Sequence, residues 1–287
     1  MPTPSQVNLP VELFVQIIWH LRNDSDGLKA LSLVCRSFRS EAYRYLFQTI
    51  RIGPENLKPA KLDNTHAFLL HITDISSTIS RYIKAVHLNV PRTSASSPNF
   101  AAVITAALCS MPNLRHIRSI EGHNQLYSLS ELSVQAPFKL RHLTTSLGVD
   151  DGFMDLVRSQ PSLEDIRWHY VSRICLPELH HFSASDVPRL KMLEVVCANA
   201  AKAFLPQCPV THLTIMNDRQ LGPLIHVPSV RALMIDGAIV ELDELEIVVR
   251  QFPALEFLDL PVADTVRRIS RFTYNYGNMM LLQLDHD

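Results

Sequence analysis

Glycine is scarce in this 287-residue chain, with 8 occurrences. No Gly-x-Gly-x-x-Gly turn, Walker loop or Gly-x-Ser-x-Gly elbow occurs, so the usual loops that cradle phosphates or expose a nucleophile are missing. No His-Glu-x-x-His occurs either, and the adjacent His180 and His181 point two ways on any regular element. Carboxylate runs at Asp150-Asp151 and over 241–246 read as a helix N-terminus and a solvated helix face. The chain is therefore expected to be no enzyme and to need no cofactor or metal. Cysteine is sparse and unpatterned: Cys35, Cys109, Cys175, Cys197 and Cys208 are odd in number, with no Cys-x-x-Cys pair and no zinc spacing. They read as free thiols, mostly buried, in a reducing compartment.

Charge of either sign is also without excess. The formal net charge is −1, so no global field favours nucleic acid or anionic lipid. The longest apolar stretch, 100–111, is broken by Thr105 and Ser110 and is far short of a membrane span. Residues 1–6 show neither a basic nor an apolar leader region. The expectation is a protein without membrane or nucleic-acid partners, cytoplasmic or nuclear. Hydrophobic residues make up 47% of the chain, ample for a core, and 18 prolines imply frequent stops between elements.

The first fifty residues are short, apolar at helical spacing and too few to bury themselves. Pro10, Leu13, Phe14, Ile17, Ile18 and Leu21 form an amphipathic stripe. Pro10 suits a first helical turn, and 23–26 both ends this helix and offers an N-cap for the next. A second helix is predicted to carry Leu28, Leu31 and Val34. A third, from Arg36, carries Phe38, Ala42, Tyr45, Leu46 and Phe47. In order and spacing, Leu9-Pro10-x-Glu12-Leu13, Ile17-Ile18-x-x-Leu21, Leu31-Ser32-Leu33-Val34-Cys35-Arg36-x-Phe38 and Leu46-Phe47 resemble an F-box, over about residues 7–48. Phe38 stands where many members have Trp. The resemblance implies binding to the Skp-type adaptor, and through it a cullin, of a ubiquitin ligase. It implies an adaptor surface drawn from Leu9, Pro10, Leu13, Ile17, Leu21, Leu28, Leu31, Val34 and Cys35. The plainer reading is a helical cap packing its stripe inward on a larger domain.

Beyond the head, 48–52 alternates and reads as a strand, a helix is predicted over 64–75, and a further strand over 84–90. The clearest loop is 91–98. A Pro-x-apolar-x-x-apolar pattern then recurs at Pro112, Pro161, Pro188, Pro228 and Pro253, with variants at Pro137 and Pro209. The seven prolines are spaced by 19 to 27 residues, 23.5 on average. The apolar alternation after each marks a half-buried strand, and helical segments at 100–109, 153–157, 200–205 and 242–252 lie between. Over about 80–262 this resembles an irregular leucine-rich-repeat array, whose repeat length lies in that range. Ala198, Asp218, Ala238 and Ala263 occupy places where the regular family has Asn or Cys, which implies an uneven arc. An ordinary α/β domain whose strands follow prolines is the alternative.

The expected fold is thus α/β: a three-helix F-box head (7–48), a connecting segment (49–98), an irregular leucine-rich-repeat-like solenoid with a parallel sheet (99–262), and a cap or incomplete repeat (263–287). Residues flanking the buried positions would line the sheet's open face. They are His116, Arg118, His142, Thr144, Asp165, Arg167, His169, Met192, Glu194, His212, Thr214, Met234, Asp236, Phe257 and Asp259. His116, Arg118, His142, Arg167, Met192, Glu194, Met234 and Phe257 are the candidate contacts to an unknown protein target. His116 and His142 sit as a solvated pair or, less simply, as metal ligands. Arg36, Arg39, Arg44 and Arg51 would suit nucleic acid on a more basic domain. The reading that joins these parts is a substrate receptor acting by proximity. The alternative is a repeat scaffold with no role in ubiquitylation.

Overall fold

In the computed structural model, the described residues are 10–52, 59–74, 77–89, 98–121, 129–146, 151–169, 182–205, 207–216, 227–236, 250–259, 269–273 and 281–284. Three helices open the chain: α1 (Val11–Leu21), α2 (Ser25–Ser32) and α3 (Arg36–Leu46). Pro10 occupies the N-cap of α1 and not its first turn, its carbonyl accepting from the backbone N–H of Leu13 and Phe14. Asp24 caps α2, accepting from the N–H groups of Asp26 (3.1 Å) and Gly27 (3.0 Å). A Cβ at Gly27 would lie 2.6 Å from the Asp24 carboxylate, so any side chain there would displace the capping group. Arg39 of α3 donates to the Ser32 carbonyl at the end of α2. The helices enclose a small core of Ile18, Leu28, Phe38 and Ala42, with Phe14 and Phe38 in ring contact at 4.4 Å. Val34, predicted within the second helix, lies beyond its end.

The rest of the described chain is an α/β arrangement around a nine-stranded sheet. The strands are β1 (Thr49–Ile52), β2 (Ala85–Asn89), β3 (His116–Glu121), β4 (His142–Thr145), β5 (Asp165–Trp168), β6 (Met192–Val195), β7 (His212–Ile215), β8 (Ala232–Ile235) and β9 (Phe257–Asp259). All neighbours are parallel and follow chain order, as the proline-led pattern predicts. Between strands lie α4 (Pro59–Thr73), α5 (Pro98–Cys109), α6 (Leu129–Gln135), α7 (Asp151–Arg158) and the short α8 (Ala198–Ala201). The first of these begins before the predicted 64–75, and the helix predicted over 200–205 is the shorter α8. Most of 242–252 lies outside the described residues. Near the C-terminus β10 (Ile269–Thr273) and β11 (Leu281–Leu284) form a separate antiparallel pair.

The sequence alternation explains the sheet. In register across it run Ile50, Val86, Ile117, Leu143, Ile166, Leu193, Leu213, Leu233 and Leu258, one per strand and all buried. Two residues on, a second buried row includes Ile52, Leu88, Trp168, Val195, Ile215 and Ile235. Period-2 alternation sends the intervening residues to the opposite, open face. At the entry to each strand from β2 to β9, one backbone carbonyl of the preceding unit accepts two successive N–H groups, at 2.7–3.1 Å. The prolines act upstream of this point. In Met111–Leu114, Gln160–Leu163, Val187–Leu190 and Phe252–Leu255, the N–H of the last residue donates to the carbonyl of the first at 3.0–3.2 Å. Proline thus occupies the second place of a tight turn, where its fixed φ is already correct. Leu114, Leu140, Leu163 and Leu190 are buried as expected, whereas Leu255, nearer the end of the sheet, is only half-buried.

Gln160 is the exception among the residues that precede these prolines, being polar and buried. Its Oε1 accepts from the Leu140 N–H at 2.8 Å, 20 residues away. It thereby satisfies a buried backbone donor of the preceding unit. Two outcomes test this packing by denaturant unfolding. Leu193→Ala should cost about 2–5 kcal/mol through the cavity left in the apolar row. Gln160→Ala should cost about 1–3 kcal/mol by orphaning the Leu140 N–H, while Arg118→Ala on the open face stays within about 0.5 kcal/mol. A neutral Gln160→Ala would refute the cross-unit role.

Candidate functional site

Two surfaces carry the chemistry, one on the head and one on the sheet. On α1 the 3.6-residue turn places Phe14, Ile18 and Leu21 toward the head's core. Leu13 and Ile17 lie on one flank of that stripe and are exposed; Val11, Val15 and Trp19 lie on the other, also exposed. Trp19 stacks with its own neighbour, the Arg22 guanidinium sitting 3.7 Å over the ring. At the turn between α2 and α3, Leu33 is 79% and Val34 64% exposed.

The predicted head residues divide accordingly. Leu13, Ile17, Val34, Pro10 and Cys35 are at the surface, while Leu21 and Leu31 are half-buried. Leu28 is a correction: it is 2% exposed and belongs to the head's core, leaving nothing for a partner to touch. Leu9 lies outside the described residues. The sequence reading missed Val11, Val15, Trp19 and Leu33. The first three recur at i, i+4 and i+8, a second apolar column on the same helix that a single-stripe reading overlooks.

On the sheet the open face consists of two registered rows. One runs His116, His142, Asp165, Met192, His212, Ala232, Phe257 across β3 to β9. The other runs Arg51, His87, Arg118, Thr144, Arg167, Glu194, Thr214, Met234, Asp259 across β1 to β9. The eight predicted target contacts all fall on these rows, with Met192, Met234 and Phe257 exposed by 41–42%. His116, His142 and Glu194 are half-buried; Arg118 and Arg167 are exposed.

Charge is ordered along the face. In the middle, Arg167 sits between two carboxylates, its Nε 3.3 Å from Asp165 Oδ2 and 3.7 Å from Glu194 Oε2. His142 Nδ1 stands 3.5 Å from the same Asp165 oxygen, and His169 Nε2 is 2.6 Å from Glu194 Oε1. Asp165, predicted as an open-face residue, is on that face but buried beneath these partners, and its Oδ1 has no hydrogen-bond partner among the described residues. Arg167 is therefore already neutralised by the protein. Toward β1 the balance changes. His116 and His142 stack face to face at 4.3 Å with planes 7° apart. Arg51, His87 and Arg118 are consecutive partners in one row, and among the described residues no carboxylate pairs with any of the three. Arg51, weighed only for nucleic acid, and His87 were not assigned to the open face because β1 and β2 lack the proline that marks later units.

This crowding of positive groups acts on the histidines. Burial, then the charges of Arg118 and Arg51, holds the His87 pKa below its ordinary 6.5. Burial, then His142, Arg115, Arg141 and His87, does the same for His116. The four arginines considered for nucleic acid do not form one patch. Arg39 is engaged with the Ser32 carbonyl, Arg44 lies 3.8 Å from Glu41, and Arg51 is on the sheet. Among the described residues no three His, Cys, Asp or Glu side chains converge to hold a metal ion, and no helix is long and apolar enough to cross a membrane.

The thiols differ from expectation. Of the four described, only Cys208 is buried; Cys35 is exposed, and Cys109 and Cys197 are intermediate. Cys208 donates toward the carbonyls of Phe182 (3.6 Å) and Ser183 (3.8 Å), and burial, with Asp186 nearby, pushes its pKa up to about 12. Cys175 lies outside the described residues. Comparison with family models and with curated proteins returned no match for this chain.

Two measurements follow. In an NMR titration His87 and His116 should have midpoints below 6.5. Because the folded values are depressed, their contribution to stability is complete above the unfolded value and is lost as pH falls below it. His116→Gln should flatten that acid-side loss; midpoints at or above 6.5 would contradict the crowded arrangement. At pH 8, iodoacetamide should alkylate Cys35 promptly while Cys208 is protected until unfolding. Equal labelling of the two would contradict the burial of Cys208.

Proposed function

We propose that this chain is a substrate receptor of a cullin-based ubiquitin ligase. Its helical head acts as an F-box and binds the Skp-type adaptor, which joins it to the cullin. The repeated strands form an irregular leucine-rich-repeat-like solenoid whose open sheet face holds a protein target. The chain contributes no chemistry itself. It raises the effective concentration of the target at the ubiquitin donor, which converts a bimolecular encounter into a local one.

The observation that carries this reading is the head's division into an inner core and an outer apolar surface. Ile18, Leu28, Phe38 and Ala42 already hold the three helices together. Leu13, Ile17, Leu33 and Val34 are not needed for that purpose and stand exposed. A cap on a larger domain would turn such side chains inward, which argues for a partner on this surface. These positions include Leu13, Ile17 and Val34 from the F-box-like pattern. A second support is the link between the parts. Tyr43 and Phe47 at the end of α3 meet edge to face at 5.2 Å, and Phe47 stacks on Phe68 of α4 at 6.3 Å. That continuous aromatic contact suits a receptor that must present its target at a set position relative to the adaptor.

The test is an Ile17→Glu, Val34→Glu double variant of the full chain. Both side chains are at the surface, so thermal unfolding should be nearly unchanged. Co-purification with a Skp-type adaptor should fall by at least tenfold, since losing buried interface anchors costs about 2 kcal/mol or more. Targets captured by proximity labelling should be the same for both proteins yet be ubiquitylated only with the intact one. Undiminished adaptor binding would sink the head assignment.

A further inference from the structure

The β1–β4 end of the open sheet face has a specific chemical character that the middle of the face does not share. Arg51, His87 and Arg118 occupy one row on three adjacent strands. Strands lie about 4.8 Å apart, so the three side chains arise within about 10 Å of one another. The stacked His116 and His142 adjoin them in the parallel row on β3 and β4. Arg51 and Arg118 are exposed, His87, His116 and His142 half-buried. Two carboxylates of the face, Asp165 and Glu194, are engaged with Arg167, His142 and His169 further along, and Asp259 lies at the far end on β9. Two fixed cations and the imidazoles of His87 and His116 are therefore left at one end without a carboxylate partner among the described residues. Burial and mutual repulsion disfavour charging His87 and His116 in the free protein. A dianion placed among them would relieve that repulsion.

We propose that this end of the face is a binding site for a phosphate monoester carried on an extended segment of a protein target. Arginine forks and imidazole donors suit the three oxygens of a dianionic phosphate. The rest of the face indicates what the phosphate is attached to. Met192 on β6, Met234 on β8 and Phe257 on β9 are exposed apolar side chains on the same two rows. From Arg118 on β3, three strand steps of about 4.8 Å reach Met192, a span of about four extended residues. Met234 and Phe257 lie about seven to nine residues away on the same scale. The segment is thus a phosphorylated residue with apolar residues about four and about seven to nine positions along. Nucleic acid is disfavoured because the fixed cations without a partner are confined to β1 to β3, too few for a run of regularly spaced phosphates. The assignment rests on the sheet face being the target platform; it does not depend on the head binding an adaptor.

The experiment uses the full chain, immobilised, and a degenerate peptide library with a central phosphoserine, beside the same library with serine. The phosphorylated library should be retained at least tenfold better, with apolar residues selected near the fourth and the seventh to ninth positions to one side. Arg51→Ala and Arg118→Ala should each reduce that preference at least fivefold, with unchanged thermal unfolding. Met234→Ser should weaken apolar selection and leave the phosphate preference. Equal retention of the two libraries overturns the proposal, as does complete displacement of the phosphopeptides by a uridine 12-mer at equal phosphate concentration. Adaptor co-purification measured on the same variants separates the two readings. No phosphate preference in the unsubstituted chain, or a preference kept by Arg51→Ala and Arg118→Ala, with adaptor binding intact refutes this site alone, and phosphate preference without adaptor binding refutes only the head.

Discussion

One apolar side chain from each of nine parallel strands, packed against the same position on the next, is the constraint on which this structure depends. Ile50, Val86, Ile117, Leu143, Ile166, Leu193, Leu213, Leu233 and Leu258 are all buried and all in register. No single unit covers its own apolar residue; the neighbours on either side do. Registry of this row also determines the backbone ladder at the strand entries, where one carbonyl accepts two N–H groups from the next unit. A one-residue slip would reverse the faces and expose the whole row. The position of every open-face side chain follows from that row, because alternation leaves no other choice.

The open face is consequently a record of what the buried row permits. Residues there are not required for packing, so their chemistry is free to vary from strand to strand. It varies in an ordered way: arginines and histidines without a carboxylate partner among the described residues on β1 to β3, an interlocked set of carboxylates and bases from His142 on β4 to β6, and exposed methionine and phenylalanine toward β9. The middle group is self-satisfied, which makes Arg167 a structural partner of Asp165 and Glu194 more than a free contact. The head obeys a different logic. Among the described residues four buried side chains, with Phe14, Leu21, Leu31, Tyr45 and Leu46 packed against them, hold its helices together, and the Asp24 cap and the Arg39–Ser32 hydrogen bond add local order.

Much of this was legible from residue order. Alternating apolar positions after each proline specify strands, because period 2 is incompatible with a helical face. The prolines precede the strands because a tight turn accepts a fixed φ at its second place. Parallel order follows from strands separated by segments long enough to return the chain to the same edge. A helix cap somewhere in 23–26 was also readable, since short acceptors before an apolar helix suit that place, and the structure selects Asp24. By itself the sequence therefore determined the class of fold, the strand faces and the buried leucines of the repeats.

Tertiary structure decided the rest, for one physical reason: proximity between units is set by register, not by sequence distance. Arg51, His87 and Arg118 are 36 and 31 positions apart in the chain, yet they are consecutive partners in one row. Gln160 looks like a polar interruption until its partner, the Leu140 N–H, is in place. Asp165 looks exposed by alternation, but His142 and Arg167 from its own and the neighbouring strand cover it. Leu28 and Val34 share one apolar pattern and separate into core and surface only when α2 ends at Ser32. A periodic pattern tells which side of an element a residue takes. Only packing tells whether another element already occupies that side.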